Sequence, residues 1–259
     1  MSEDAMQLLI DLGNTRLKWA LCGGGAVSTR GALGHADVAI TPLLERAWAE
    51  LPRVQHIYVA SVAPLALDVD IEAFARTRFG VETAFLRSPA SALGIRNAYP
   101  EPHRLGIDRF LGLAAAHAAH ARAQVLVGVG TAMTLDALDA DGTHLGGWIV
   151  PSPGLMQDAV LARTARVGVA DGHLTDFADN TADGLYSGTH HAASGAVERF
   201  CANAARALQT WPAVVLTGGG ADDIAPLLPG AERRADLVIE GLALWATAAG
   251  SPEFARGSR

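Results

Sequence analysis

The chain has 259 residues, 50% of them hydrophobic and 18% charged, with a mean hydropathy of +0.21. That much apolar surface excludes a disordered chain and suits two packed lobes of about 100–150 residues each. A net charge of −7 and a pI near 5.7 exclude a protein that tracks nucleic-acid phosphates. Cys22 and Cys201 fit neither a metal spacing nor a disulfide framework, which points to a reducing, cytoplasmic compartment. The opening MSEDAMQLLIDLG is acidic where a signal peptide would be basic. The most apolar stretch, 111–129, is broken by His117, His120 and Arg122, so no membrane span is expected.

Taken in chain order, the pattern predicts a strand over 7–11, a turn through Gly13-Asn14-Thr15 and a returning strand over 17–21. A short third strand is expected at 27–30 and a helix at 42–51. A buried strand over 56–61, a helix over 67–79 and a strand over 81–86 follow. After a Pro-rich loop at 97–104, an Ala-rich helix runs from 108 to 122. The same plan then restarts. Strands at 124–129, 133–138 and 145–150 surround turns at Gly130-Thr131 and Asp141-Gly142. Helices at 154–165, 191–208 and 236–249 flank one more strand, 214–217, which runs into Gly218-Gly219-Gly220. Strands alternating with helices define an α/β chain. Its N-terminal lobe is expected over 1–123 and its C-terminal lobe over 124–259.

Three turns carry the chemistry. In IDLGNTRLK, Gly13 lets the backbone approach a ligand, and the turn can aim Asn14 and Thr15 at phosphate oxygens. Asp11 ends the strand before it and offers hard oxygen to Mg²⁺. Lys18, the only lysine among 20 basic residues, supplies a compact ammonium nearby. An ordinary hairpin with a polar turn explains this first motif equally well. A second hairpin, VGVGTAMTLD, repeats the device with Gly130 and Thr131, and Asp136 lies on its returning strand. At the third turn, Gly218 and Gly219 permit a flat nucleotide moiety to lie against backbone.

Three such elements in this order resemble the actin-like ATPase superfamily. The resemblance implies a two-lobed, ribonuclease H-like fold, each lobe a mixed sheet flanked by helices. It also implies that the three turns hold phosphate, phosphate and adenosine. A narrower resemblance lies between them. Tyr99, Pro100 and Leu105-Gly106-Ile107-Asp108-Arg109 resemble the Y…P…LGxDR motif of type III pantothenate kinases. The block GTAMTLDALDADGTHLGGWIVPSPGLM and the later Asn180-Thr181, Gly184 and Gly188 are similar to that family's later motifs. One position departs. Ser152 follows Pro151 where the family usually has Gly, and Pro153-Gly154 restores the turn one step later.

The family resemblance implies ATP-dependent phosphorylation of pantothenate, the first step of coenzyme A synthesis. Asp108 would be the base, although a helix-opening Asp is also a common N-cap. Tyr99, Gly106, Ile107, Arg109 and Thr181 would hold pantothenate. By default Tyr99 would be a packing residue and Thr181 a helix cap or surface hydroxyl. Arg109 is a cation in a first helical turn, where the helix dipole disfavours it, and that misfit points to a ligand. Asp136 would hold a monovalent cation, K⁺ or NH₄⁺, beside ATP and Mg²⁺. His190-His191 reads as a helix start, and Trp148 and Trp245 as core. The small side chains of LGLAAAHAAHA favour close helix packing, and with the resemblance they suggest a homodimer whose sites are shared. Two alternatives are another actin-like small-molecule kinase and a non-catalytic regulatory protein.

Overall fold

The computed structural model describes residues 6–36, 38–164 and 171–249, which form two compact units. The first is built from β1 (Gln7–Leu12), β2 (Arg16–Gly23), β3 (Ala26–Gly34), α1 (Ile40–Ala47), β4 (His56–Ser61), α2 (Leu65–Phe79) and β5 (Thr83–Phe85). A small hairpin, β6 (Ser91–Ala92) and β7 (Ile95–Arg96), and a single 3₁₀ turn lead into α3 (Ile107–Ala119). The second unit holds β8 (Gln124–Val129), β9 (Ala132–Leu138), β10 (His144–Pro151), α4 (Pro153–Leu161), α5 (Thr181–Leu208), β11 (Ala213–Thr217), α6 (Ala221–Ile224) and β12 (Glu232–Arg233). The last helix, α7 (Leu237–Ala249), belongs to the first unit.

Both sheets have one topology. The strand orders are β3-β2-β1-β4-β5 and β10-β9-β8-β11-β12, antiparallel among the first three strands and parallel thereafter. The duplicated plan expected from the hairpins is therefore a duplicated sheet. The expected division differs in two respects. The second unit begins at Ala121 and ends at Asp236, because α7 packs on β1, β2 and β4 of the first sheet. Residues 1–5 and 250–259 of the expected lobes lie outside the described residues, as does the expected helix end at Ala165.

Side-chain alternation divides each sheet into two faces. Leu8, Ile10 and Leu12 of β1 join Leu17, Trp19 and Leu21 of β2 in a core with Leu44, Trp48, Ile71 and Phe79 from the α1 and α2 side. The other face of β1 and β2 presents Leu9, Asp11, Lys18 and Ala20 towards α7, on which α3 packs in turn. In the second unit, Val125, Val127, Met133 and Leu135 pack on Ala193, Val197 and Phe200 of α5.

The Ala-rich helix finds its partner within its own unit. α3 packs along α7, where a side chain at Gly241 would overlap the Leu111 carbonyl. The run from Phe110 to Ala116 is wholly buried. Close approach was correctly expected, but the surface brought close is α7, so the alanine face gives no argument for a dimer.

Candidate functional site

The first turn is narrow and exposed. The Gly13 N–H donates to the Arg16 carbonyl at 2.9 Å, and Asn14 and Thr15 are solvent-exposed. Register pairs Asp11 directly with Lys18 across β1 and β2, so both side chains leave the same face of the sheet. Sequence spacing had brought Lys18 only near the turn. His35, 4% exposed and just beyond β3, was missed. Its Nε2 lies 3.0 Å from the Gly13 carbonyl, and its backbone N–H donates to the Thr15 carbonyl at 3.0 Å.

The remaining first-unit residues gather at the same end of the sheet. The Val62 N–H, one residue past β4, donates to the Leu12 carbonyl at 3.1 Å. A Cβ on Gly106 would lie 3.7 Å from Val62 Cγ1 and 2.5 Å from Asp108 Oδ1. Asp108 thus folds its carboxylate back over Gly106, on the sheet face of Asp11 and Lys18. It is not the N-cap residue of the helix. Gly106 is the N-cap residue, while Asp108 stands in the first turn, where the helix dipole favours a carboxylate. Ile107, the first helical residue, is buried.

Arg109 is only 8% exposed, and its Nη1 donates to the Tyr99 hydroxyl at 3.3 Å, with the guanidinium over the Tyr99 ring. Tyr99 and Arg109 form one unit. The loop that carries Tyr99 is organised by Asn97, also missed. Its side-chain amide donates to the Pro89 and Pro102 carbonyls, and its oxygen accepts the Tyr99 N–H at 3.0 Å. An Asn within a Pro-rich loop was the available signal.

In the second unit, the Gly130 N–H donates to the Ala132 carbonyl at 3.0 Å and leaves Gly130 and Thr131 exposed. The third turn lies directly against this hairpin. Gly218, at φ +94°, packs backbone to backbone on Val129, and the Gly220 N–H donates to the Val129 carbonyl at 3.1 Å. Gly219 is exposed beside it. Arg233 braces this turn through the Gly218 carbonyl at 3.1 Å. Its hydrogen bond and charge also hold the Asp222 carboxyl below the usual carboxylate range. Ser152 lies across from the hairpin. Its Oγ donates to the Thr131 carbonyl at 2.8 Å and accepts the Leu155 N–H at 3.3 Å, capping α4. Ser152 is therefore both a side-chain cap for α4 and a tether for the turn.

Other expectations change. Asp136 lies on the sheet face away from α5, about 16 Å along the strand from Thr131. It is 1% exposed, with Oδ1 2.9 Å from the buried His144 Nε2. An interior carboxylate bonded to histidine does not fit an exchangeable cation site. Asp136→Asn should lower stability by about 1–3 kcal/mol, the cost of disturbing a buried polar partner. It should leave the ratio of rates in K⁺ and Na⁺ at the wild-type value; a changed ratio would restore the cation assignment.

Asn180, whose side chain accepts the Asp183 N–H, caps α5, and exposed Thr181 is its first residue. Bonds from Asn180 and the His173 N–H hold the Asp183 carboxyl below its ordinary range. His190 and His191 fall inside α5, not at its start, and His190 stacks on Tyr186. Trp245 is buried as expected, whereas Trp148 is 37% exposed on edge strand β10. Both thiols are buried, and burial, with Glu198 adding to it, pushes Cys201 up to about 11. Among the described residues, no helix is long and apolar enough to cross a membrane.

Two sheets of one topology, each with a glycine turn at its first hairpin, define an α/β protein of the actin-like ATPase fold. The activator of 2-hydroxyisocaproyl-CoA dehydratase from Clostridium difficile, solved with ADPNP, superimposes with a TM-score of 0.55 at 13% identity, covering 93% of this chain and 94% of its own. MreB 5 of Spiroplasma citri, bound to AMPPNP, gives 0.53 at 10% identity, covering 95% and 97%. These likenesses define the fold alone.

The family follows from sequence. The family model for type III pantothenate kinase matches residues 7–203. The type III pantothenate kinase of Xanthomonas oryzae pv. oryzae (strain PXO99A) is 43% identical over 245 residues, covering 94% of this chain and 98% of its own. That of Xanthomonas campestris pv. campestris (strain B100) is 42% identical over the same coverage. The chain belongs to the type III pantothenate kinase family.

Proposed function

We propose that this protein phosphorylates the primary hydroxyl of pantothenate with ATP in the cytoplasm, giving 4'-phosphopantothenate for coenzyme A synthesis. The observation that carries this reading is the Asp108 carboxylate folded over Gly106, beside Val62 and the strand end that bears the first glycine turn. Asp108 accepts the hydroxyl proton as the oxygen attacks the terminal phosphorus, whose bond to the bridging oxygen of ATP breaks and releases ADP. Phosphoryl transfer has a loose transition state, so an aligned carboxylate of ordinary basicity suffices. Tyr99, Gly106, Ile107 and Arg109 hold pantothenate. Asn14, Thr15, Lys18, Gly13, Gly130 and Thr131 receive phosphates, and Gly218 and Gly219 lie under the adenosine.

Among the described residues no group of three or more His, Cys, Asp or Glu forms a metal cage. One carboxylate completed by nucleotide phosphates is a common mode of Mg²⁺ binding, and Asp11 at its strand end fits it. Asp11 would hold the ion there, and the chemistry it would supply is neutralisation of charge on the transferring phosphoryl group. A coupled ADP-release assay with and without pantothenate tests the activity. Release that ignores pantothenate would sink it and favour another acceptor.

Lys18→Ala should raise KM for ATP about 10- to 100-fold, the equivalent of the 1.5–3 kcal/mol of a charged hydrogen bond, with KM for pantothenate unchanged. Lys18→Arg should recover part of the loss. Three proteins of equal KM would make Lys18 a strand-surface residue paired only with Asp11.

The homodimer of the family resemblance belongs to the same proposal, with Thr181 reaching the neighbouring subunit's pantothenate. Its support is exposed apolar surface on edge strand β10 and α4, namely Leu145, Trp148, Ile149, Leu155 and Val160. Mixing the inactive variants Asp108→Asn and Thr181→Ala should restore activity, because some mixed dimers regain one intact site. Silence after demonstrated subunit exchange would refute shared sites.

A further inference from the structure

We infer that His35 and Ser152 are positioning residues, one in each unit at the same point of the duplicated plan, that set the phosphate turns for nucleotide. The inference rests on the proposed reading of those turns as phosphate sites. β3 ends at Gly34 and β10 at Pro151, so His35 and Ser152 are each the first residue beyond the third strand of their sheet. Both side chains are buried, at 4% and 6% exposure. Each reaches back to a backbone carbonyl in its own unit's first turn, His35 to Gly13 at 3.0 Å and Ser152 to Thr131 at 2.8 Å. A carbonyl only accepts, so His35 must carry its proton on Nε2.

The consequence follows from the planar trans peptide, in which C=O and the next N–H point in opposite directions. Anchoring the Gly13 oxygen on the buried ring turns the Asn14 N–H away from it. Anchoring the Thr131 oxygen on Ser152 turns the Ala132 N–H away likewise. Without these donors the two peptide planes can rotate and present a carbonyl oxygen, which repels an anion, in place of an N–H. The same function is met by different chemistry in the two units.

The test is calorimetric binding of the non-hydrolysable analogue AMPPNP with Mg²⁺, alongside KM for both substrates and the melting temperature. His35→Ala and Ser152→Ala should each weaken AMPPNP binding about two- to tenfold, the size of one net hydrogen bond. KM for pantothenate should stay within about twofold by the same measure. Ser152→Thr and His35→Gln keep a donor and should recover most of the binding. Ser152→Asp can still cap α4 but cannot donate to Thr131, so it should not recover binding.

Alanine variants that bind AMPPNP as the wild type does would overturn the inference. So would rescue by Ser152→Asp, which would leave capping as the whole role of Ser152. Parallel losses for both substrates that track the melting temperature would reduce both residues to structural ones. Failure of the wild type itself to bind AMPPNP would instead overturn the reading of the turns, and this inference with it.

Discussion

Asp108→Asn is expected to lower kcat by about 10²- to 10⁴-fold, the usual contribution of a positioned general base, while nucleotide affinity stays within about twofold. The substitution keeps size and shape and removes the charge and the proton-accepting oxygen. Gly106, and not Asp108, is the N-cap residue of α3, so the substitution leaves the N-cap position untouched. Its carboxylate lies where even a Cβ on Gly106 would meet it at 2.5 Å, so the amide will occupy the same place. Loss in kcat with both KM values retained is the signature of an interaction made in the transition state. Single-turnover measurements with saturating ATP would read the chemical step directly. Near-normal turnover would remove Asp108 from the reaction and leave the pantothenate reading without a base.

What could be read in the chain followed the range of the signal. The strands at 56–61 and 124–129 are apolar runs between polar breaks, and the structure has them at those bounds. The helix that opens at Thr181 was expected ten residues later, because Gly184, Gly188 and Thr189 lower local helix propensity. Its true start was written in Asn180 and Asp183, a cap whose side chain takes an amide three residues on. Contacts without period were not legible. Nothing in a local pattern says that α7 returns to the first sheet, or that Asp136 finds His144 across a hairpin. His35 and Ser152 left the faintest trace, each a polar residue just beyond a strand. Ser152 alone had drawn notice, as a departure from glycine.

Gly218→Ala should be the most damaging single-methyl change in the second unit, and Gly230→Ala is its control. Both glycines have positive φ, +94° and +83°, so a side chain at either position is strained by about 1–3 kcal/mol. Their surroundings differ. A Cβ at Gly218 would overlap the Val129 backbone, whereas nothing lies within 4 Å of the one at Gly230. Backbone cannot rotate aside as a side chain can, so Gly218→Ala must push the third turn off the strand end that carries Gly130 and Thr131. Nucleotide binding should then fall with stability in Gly218→Ala, while Gly230→Ala loses some stability and binds normally. Asparagine separates the two causes, because it tolerates positive φ but still brings a Cβ. Gly230→Asn should recover most of the stability lost in Gly230→Ala, and Gly218→Asn should recover none. Equal losses at the two sites, or rescue of Gly218 by asparagine, would mean that backbone strain alone governs position 218. The contact with Val129 would then carry no weight in shaping the nucleotide turn.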